Sequence, residues 1–124
     1  MNIKLLYNNS MTNSYITGLV AEFIARMYLR LHGFRIVKSR YTTGRYTGRA
    51  EIDIIARRGN LLAFIEVKRR HDITTGLDAI TPPQAVRLRR AAETYIAQTR
   101  WMGDARFDAI VVAPHKIRWI RGAI

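Results

Sequence analysis

Four charged residues on two neighbouring predicted strands have the types and spacing of a metal site. Glu51 and Asp53 precede a predicted Gly-Asn turn, and Glu66 and Lys68 follow it. A hairpin with a two-residue loop at 59–60 places Asp53 opposite Glu66 and Glu51 opposite Lys68. Cross-strand neighbours lie about 5 Å apart, so facing carboxylates repel each other unless a cation lies between them.

The oxygen atoms at this position favour a hard divalent cation. The carboxylates of Asp53 and Glu66 and the backbone carbonyl of Val67 form a ligand set that suits Mg²⁺ or Mn²⁺. Lys68, two residues after Glu66 on the same strand face, is placed to assist an attacking water and to stabilise charge on a phosphate. The pattern predicts metal-assisted phosphodiester hydrolysis. The alternative is an ion-pair ladder on a solvated sheet face.

The charge of the chain indicates a polyanionic partner. The 124 residues include 21 Lys and Arg against 9 Asp and Glu, a formal net charge of +12. Such an excess favours nucleic acid, because neutralising phosphates releases condensed counterions. A membrane surface is disfavoured, since no Lys-rich amphipathic helix with an aromatic face is present. A solubilising surface and a ribosome-associated, RNA-directed protein remain alternatives.

Length and composition predict one cytoplasmic domain. Residues 1–124 suffice for a single core, with residues 1–12 expected to be frayed. No apolar run is long enough to span a bilayer, and the N-terminus has no signal-peptide pattern. The absence of cysteine excludes disulfides and thiolate metal sites and fits a reducing compartment. Zinc spacings, a Walker loop, a dinucleotide fingerprint and a Ser-His-Asp elbow are absent from the sequence.

The order of predicted elements is α-β-β-β-α-β, with a short fifth strand at the end. The helices cover Ser14 to Leu31 and a second segment that starts at Thr81-Pro82-Pro83, where proline is tolerated in the first turn, and reaches about Thr99. The first strand begins at 34–37, the second and third flank the turn at 59–60, and the last two occupy 107–112 and 116–120. Residues 38–50 are expected to be a basic loop or an irregular hairpin arm. This order predicts an α/β fold, a mixed sheet flanked by helices.

Helical periodicity predicts which side chains of the two helices are buried. The first helix is expected to bury its large apolar residues, namely Ile16, Leu19, Val20, Phe23, Met27 and Leu31. The second is expected to bury Ala85, Leu88, Ala92, Tyr95 and Ile96, with Arg87, Arg89 and Arg90 outward. Outside the helices, Asp108 is expected to pair with an arginine rather than to bind metal.

These motifs resemble the core of the PD-(D/E)xK nuclease superfamily. More closely, the chain resembles the small bacterial YraN-like family, predicted endonucleases that are similar in fold to archaeal Holliday-junction resolvases. The matching segments cover most of the chain: Glu51 to Asp53, Phe64 to Arg70, the helix carrying Gly18, Glu22 and Ala25, the segment 91–96, and Arg106 to Asp108. The resemblance implies a restriction-endonuclease-like core in which Asp53 and Glu66 bind Mg²⁺ or Mn²⁺ and Lys68 is catalytic.

Three further residues enter through the resemblance, each with a simpler alternative. Glu22 matches an acidic residue that often joins the metal site of resolvases, but an i,i+4 pair with Arg26 would also explain it. Glu51 matches the family's acidic residue before Asp53; the alternative is a salt bridge to Lys68. Gln84 stands where the family tends to have Lys, so it is a candidate for the catalytic set or a solvated first-turn residue. A second departure is Ala50, where the family usually has Gly.

The sequence thus predicts a Mg²⁺-dependent endonuclease acting on DNA. No base-reading motif is present, which favours structure-selective over sequence-specific binding, and the resemblance implies branched or single-strand-containing DNA. A non-catalytic nucleic-acid-binding protein on a nuclease scaffold is the alternative. RNA is the second candidate ligand, and a homodimer is expected from the resolvase resemblance. The residues expected to contact phosphates are Arg40, Arg45, Arg49, Arg70, Arg87 and Arg90.

Overall fold

The computed structural model describes residues 14–44, 49–71 and 80–124. In chain order the elements are α1 (Ser14–Leu31), β1 (Arg35–Thr42), β2 (Glu51–Arg58), β3 (Leu61–Arg69), α2 (Pro82–Thr99), β4 (Asp104–Val112) and β5 (Ile117–Ile120). The strands form one five-stranded sheet in the order β1-β2-β3-β4-β5. Only β3 and β4 pair in parallel, and the other neighbours are antiparallel. The predicted mixed α/β architecture is confirmed, and it is consistent with a restriction-endonuclease-like core.

The β2–β3 hairpin has the predicted register where it is paired, but the ladder ends before the predicted Asp53–Glu66 and Glu51–Lys68 pairs. Arg58 pairs with Leu61, and the pairing continues to Ile54 with Ile65. Gly59 has a φ of 59°, the left-handed backbone that a tight two-residue turn needs and that glycine adopts without strain. The turn chemistry therefore fixes the register that brings the acidic ends of β2 and β3 together.

Each face of the sheet is covered by one helix. On one face α1 packs against the β3 residues Ala63 and Ile65, and on the other α2 packs against Leu62 and Phe64. This alternation along β3 is the period-2 pattern of a central strand buried on both faces. Its last four residues, from Glu66 to Arg69, are only partly buried, so the strand emerges from the core where its charged residues begin.

The second helix begins as the sequence predicts. Thr81 is its N-cap, with a capping box in which the Thr81 side chain accepts from the Gln84 N–H and the Gln84 side chain accepts from the Thr81 N–H. Pro82 lies in the first turn, where a missing N–H costs nothing. The inward residues include Ala85, Leu88 and Ala92, as predicted, and the three arginines at 87, 89 and 90 are exposed.

The buried stripe predicted for α1 is wrong at four of its six residues; Val20 packs against the core as predicted, and the side chain of Ile16 lies outside the described residues. Phe23 is 48% exposed and Leu31 is 81% exposed, and Leu19 and Met27 are also exposed. The face that meets the sheet instead carries small residues together with two larger ones: Ala21, Ile24, Ala25 and Leu29. Small side chains let the helix approach the sheet closely, so packing density is reached on this face rather than on the bulkier one.

Two strands extend beyond their predicted limits. β1 continues to Thr42, so the first part of the expected basic loop at 38–50 is strand, and residues 45–48 lie outside the described part. β4 begins at Asp104, three residues before the predicted start, because it pairs with β3 from Leu61 onward. Neither helix in the described ranges combines the length and apolar character needed to cross a bilayer.

Candidate metal centre

The candidate site lies where β2 and β3 separate. Their pairing ends at Ile54 and Ile65, after which β2 continues alongside β1 and β3 alongside β4. The Asp53 carboxylate spans this opening, because its Oδ2 accepts a 2.8 Å hydrogen bond from the Val67 N–H. A side chain therefore takes the place of a ladder carbonyl, and the sheet opens there without leaving the Val67 N–H unpaired.

The strand is distorted at the same point. Ile52 packs in the core layer under α2, whereas Ile54 packs in the layer under α1. Residues two apart share a face in a regular strand, so the alternation breaks at Asp53. On the neighbouring strand Arg40, between the Ser39–Ile54 and Tyr41–Ile52 pairs, has a left-handed φ of 53°. Such a φ is uncommon for a residue other than glycine and often accompanies a functional site.

Three carboxylates from two elements meet at this distortion. Each of Glu22, Glu51 and Asp53 has an oxygen within 4.8 Å of the others, close enough to share one metal ion. Glu22 comes from α1 and is only 8% exposed. Its buried position follows from the face that α1 turns toward the sheet, which also carries Ala21 and Ala25.

Glu66 and Lys68 lie beside this group. The Lys68 Nζ is 3.2 Å from the Glu66 Oε1, and both side chains are largely buried. The alternative salt bridge between Glu51 and Lys68 is therefore wrong, since the cation of Lys68 pairs along its own strand. Glu66, Asp53 and Glu51 line one cavity of about 400 Å³.

The electrostatics of the site favour a bound cation. Burial, together with the nearby Glu66, Glu22 and Glu51 charges, raises the pKa of Asp53 from 3.8 to about 7, although the hydrogen bond from the Val67 N–H acts in the opposite direction. Burial also raises the pKa of Glu66, with Lys68 acting in the opposite direction. Ionised carboxylates crowded in a partly dry site are costly without a compensating positive charge.

Among the described residues, Lys68 pairs with Glu66 and Arg40 pairs with Glu22, at the edge of the acidic group. The Arg40 Nε donates a 3.0 Å hydrogen bond to the Glu22 Oε2. Glu22 thus pairs across the fold with Arg40 and not with Arg26, whose guanidinium lies 6.0 Å from the centre of the Phe23 ring. The alternative explanation of Glu22 as a helix-surface pair is wrong.

The other residues predicted for the catalytic set or for phosphate contact lie in different parts of the fold. Gln84 lines the same cavity as Asp53, and its side-chain oxygen also accepts from the Thr81 N–H. Arg49 and Arg87 line this cavity as well. The side chain of Arg70 donates to the Arg69 carbonyl, and Arg90 is exposed on α2. Arg45 lies outside the described residues. That the Val67 carbonyl ligates a metal stays a prediction; only its N–H contact with Asp53 is observed.

Sequence reasoning left Glu51 open between the family's acidic position and a salt bridge to Lys68. The structure places it in the acidic group, and its i,i+2 spacing from Asp53 was a signal for that. The partnership between Glu22 and Arg40 had no local signal, because the two residues are eighteen positions apart.

One other buried carboxylate is part of a different structure. Asp108, fully buried in β4, accepts two 2.8 Å hydrogen bonds from Arg106, one of 2.9 Å from the Trp119 Nε1 and one of 3.1 Å from the Gly122 N–H. The predicted arginine pair is confirmed. Its contacts with Trp119 and Gly122 join β4 to the C-terminal segment, and none of its hydrogen bonds involves the acidic group.

Comparison with known proteins agrees with the resemblance noted in the sequence. Residues 21–112 match the model of the uncharacterised protein family UPF0102. A UPF0102 protein of Paramagnetospirillum magneticum is 39% identical over 102 residues, covering 81% of this chain and 79% of the relative. One from Bradyrhizobium diazoefficiens is 40% identical over 106 residues (84% and 77%), and one from Caulobacter vibrioides is 42% identical over 99 residues (78% and 76%). The chain belongs to the UPF0102 family, which is the YraN family that its motifs indicate.

Proposed function

We propose that the protein is a metal-dependent endonuclease that hydrolyses DNA phosphodiester bonds. The observation that carries the proposal is the group of four carboxylates, Glu22, Glu51, Asp53 and Glu66, at the opening between β2 and β3, with Lys68 held against Glu66. Acidic oxygen ligands with a lysine beside them are the parts needed for metal-assisted attack of water on a phosphate.

The residues present fit a Mg²⁺ or Mn²⁺ ion. All candidate side-chain ligands are hard oxygens, and the raised pKa of Asp53 reflects negative charge that a divalent cation would relieve. Asp53, Glu51 and Glu22 would hold the ion, with Glu66 completing the site. When bound, such a cation acidifies water and withdraws charge from phosphate oxygens.

Lys68 has two tasks in this proposal. Its ammonium group is fixed by Glu66 at 3.2 Å, which aims it into the site instead of leaving it mobile in solvent. From there it orients the attacking water and stabilises negative charge that develops on the phosphate. Arg49 and Arg87, on the cavity wall, are placed to neutralise flanking phosphates.

The test is cleavage of labelled DNA of several shapes. A four-way junction, a flap, a single strand and a plain duplex are each incubated with Mg²⁺, Mn²⁺ or EDTA. We expect metal-dependent cutting that favours branched or single-strand-containing DNA and falls at least about a hundredfold with Lys68→Ala or Asp53→Asn. A matched control is Lys116→Ala, an exposed lysine next to the edge strand β5 and outside the acidic group, which should leave cutting unchanged.

The second candidate is a nucleic-acid-binding protein that does not cut. It is favoured by Gln84, which carries no charge where the family tends to have Lys and whose oxygen is engaged in the α2 cap. Tight binding by the wild type with no cutting under any metal condition, and equal affinity for Asp53→Asn, would favour it over the nuclease. Competition between DNA and RNA at fixed salt distinguishes the RNA-directed alternative.

Pairing of two copies is a separate proposal. Cutting two strands of a branched DNA calls for two active sites, so we expect a homodimer on DNA. Light scattering with and without a junction tests it, and a monomer in both conditions would rule it out at the concentrations used.

A further inference from the structure

A second charged cavity lies at the opposite end of the β2–β3 hairpin from the acidic group. It has a volume of about 400 Å³ and is lined by Gly33, Arg35, Arg57, Arg58 and Gly59. Arg58 follows Asp53 by five residues in β2, which at about 3.3 Å per residue separates the two sites by roughly 16 Å. The arginine cavity is therefore distinct from the candidate metal centre.

The arginines that line this cavity carry like charges that repel each other. Arg35 on β1 is the direct cross-strand partner of Arg57 on β2, and like charges in that relation are destabilising. Within the described ranges, the ion pairs formed are Glu22–Arg40, Glu66–Lys68 and Asp108–Arg106, so no described carboxylate balances this cluster. All three arginines line the same cavity, and cations gathered there without a described counter-charge favour an anion.

Two of the arginines are held in place by aromatic rings. The Arg57 guanidinium lies 4.7 Å from the centre of the Trp101 ring, and its Nε donates a 2.9 Å hydrogen bond to the Gly59 carbonyl. The Arg58 guanidinium lies 6.0 Å from the centre of the Phe34 ring. Stacking restrains the side chains and leaves the terminal nitrogens of the fork available, which lowers the entropic cost of binding.

The turns around the cluster leave room for a ligand. Gly33 has a φ of 83°, and a side chain there would begin 3.7 Å from the Arg58 Nε. Gly59, with its left-handed φ, has open space where a side chain would be. A side chain at position 33 would contact the Arg58 guanidinium, whereas one at position 59 would meet no atom within 4 Å.

We propose that Arg35, Arg57 and Arg58 form a phosphate-binding site separate from the acidic centre. Planar guanidinium forks match the oxygens of phosphate in a bidentate way, and several of them together suit a multiply charged group. The phosphates come either from a nucleic-acid backbone or from a free oligophosphate. The site concerns binding alone and is tested without metal, so its failure and that of the nuclease proposal are distinguishable.

The first arm of the test measures DNA binding in EDTA. A fluorescent duplex of about twenty base pairs is titrated at several salt concentrations with wild type, with Arg35→Gln/Arg58→Gln, and with Lys116→Gln/Arg118→Gln. The control pair removes the same charge from exposed residues at the other edge of the sheet. Since each phosphate contact contributes about 0.9 to the salt slope, we expect the slope to fall by about 1 to 2 in the first variant and to stay unchanged in the control.

The second arm measures sodium tripolyphosphate binding by thermal shift, against potassium chloride of equal ionic strength. We expect the wild type and the control variant to gain in melting temperature and the arginine variant to lose that gain. Without ligand, the arginine variant should melt at or above the wild-type temperature, because the repulsion between positions 35 and 57 is relieved, so a loss of binding is not a loss of folding.

Each result has one meaning. A change in the first arm alone assigns the site to a nucleic-acid backbone, and a change in the second alone assigns it to a free oligophosphate. Changes in both show a general phosphate site. If the arginine variant behaves like the control in both arms, the proposal is overturned.

Discussion

Asp53 on β2 and Asp108 on β4 both have carboxylates that are largely shielded from solvent, but the two carboxylates are surrounded by groups of opposite kind. Asp108 is 0% exposed and accepts from the Arg106 guanidinium, the Trp119 indole and a backbone N–H. Asp53 has one hydrogen bond, from the Val67 N–H, and its other neighbours include three further carboxylates. One aspartate is surrounded by donors, the other by acceptors.

This difference separates a structural carboxylate from a functional one. The contacts of Asp108 neutralise its charge and tie β4 to the C-terminal segment, so that it needs no external partner. The contacts of Asp53 leave excess negative charge, and burial raises its pKa to about 7. A charge that the protein leaves uncompensated in a partly buried position indicates a ligand of opposite sign.

The largest expected loss of stability follows substitution of Asp108. Asp108→Asn removes the charge that balances Arg106 and turns one acceptor into a donor facing other donors, so we expect a loss of about 3 kcal/mol in the free energy of unfolding. Urea denaturation measures it. Asp104→Asn, an exposed aspartate on the same strand, is the control and should change stability by less than about 0.5 kcal/mol. Equal effects of the two variants would contradict the structural role.

A divalent cation should stabilise the protein through Asp53 and not through Asp108. At about a hundredfold excess over its dissociation constant, Mg²⁺ or Mn²⁺ should raise the free energy of unfolding of the wild type by about 2.7 kcal/mol. Asp53→Asn should lose this response. Thermal or urea unfolding with and without metal measures it, with potassium chloride at equal ionic strength as the control. The same gain in both proteins would place the ion elsewhere.

Asp53→Asn should itself stabilise the metal-free protein at alkaline pH. The folded pKa of about 7 lies above the ordinary 3.8, so the folded state binds the proton more tightly than the unfolded state. Stability attributable to this carboxyl is therefore highest below about pH 4, is lost as the pH rises to about 7, and stays lost above it. Asparagine avoids this loss and keeps an oxygen for the Val67 N–H.

We expect a gain of about 2 kcal/mol at pH 8 in EDTA that disappears near pH 4, since each unit of pKa shift corresponds to about 1.4 kcal/mol. Urea unfolding at several pH values measures it. A variant that is less stable than the wild type at pH 8 would show that Asp53, like Asp108, is satisfied by its surroundings.

The smallest effect is expected at the edge of the acidic group. Arg40 is 40% exposed where it pairs with Glu22, so Arg40→Gln should lower stability by less than about 1 kcal/mol. Arg106→Gln, which breaks the pair with the fully buried Asp108, is the matched comparison and should cost more. Urea denaturation of the two variants side by side measures the difference, and a reversed order would contradict the contrast between the two regions.

Much of the site was predictable because local rules fix it. The Gly-Asn turn sets the hairpin register, and the register brings Asp53 and Glu66 together. The pairing of Lys68 was not predictable in the same way. Both Glu51 across the strands and Glu66 along its own strand lie within reach of its long side chain, and the opening of the sheet at Ile54 leaves Glu66 as the partner.

The sequence did not predict which face of α1 packs against the sheet. Its large apolar residues at four-residue spacing, such as Phe23 and Met27, predicted burial, yet both are exposed. The helix has two apolar faces, and periodicity alone does not choose between them. The face with small residues packs on the sheet because it allows a closer approach, and this orientation of the helix places Glu22 in the site.

The sequence by itself determined the elements, the hairpin register, the cap of α2 and the presence of an acidic pair beside a lysine, because these depend on neighbours a few residues apart. Only the tertiary structure decided that Glu22 and Glu51 join Asp53, that Arg40 pairs with Glu22, and that Arg35 opposes Arg57. Those groupings depend on which helix face packs on the sheet and where its strands separate, and both are set by the packing of the whole core.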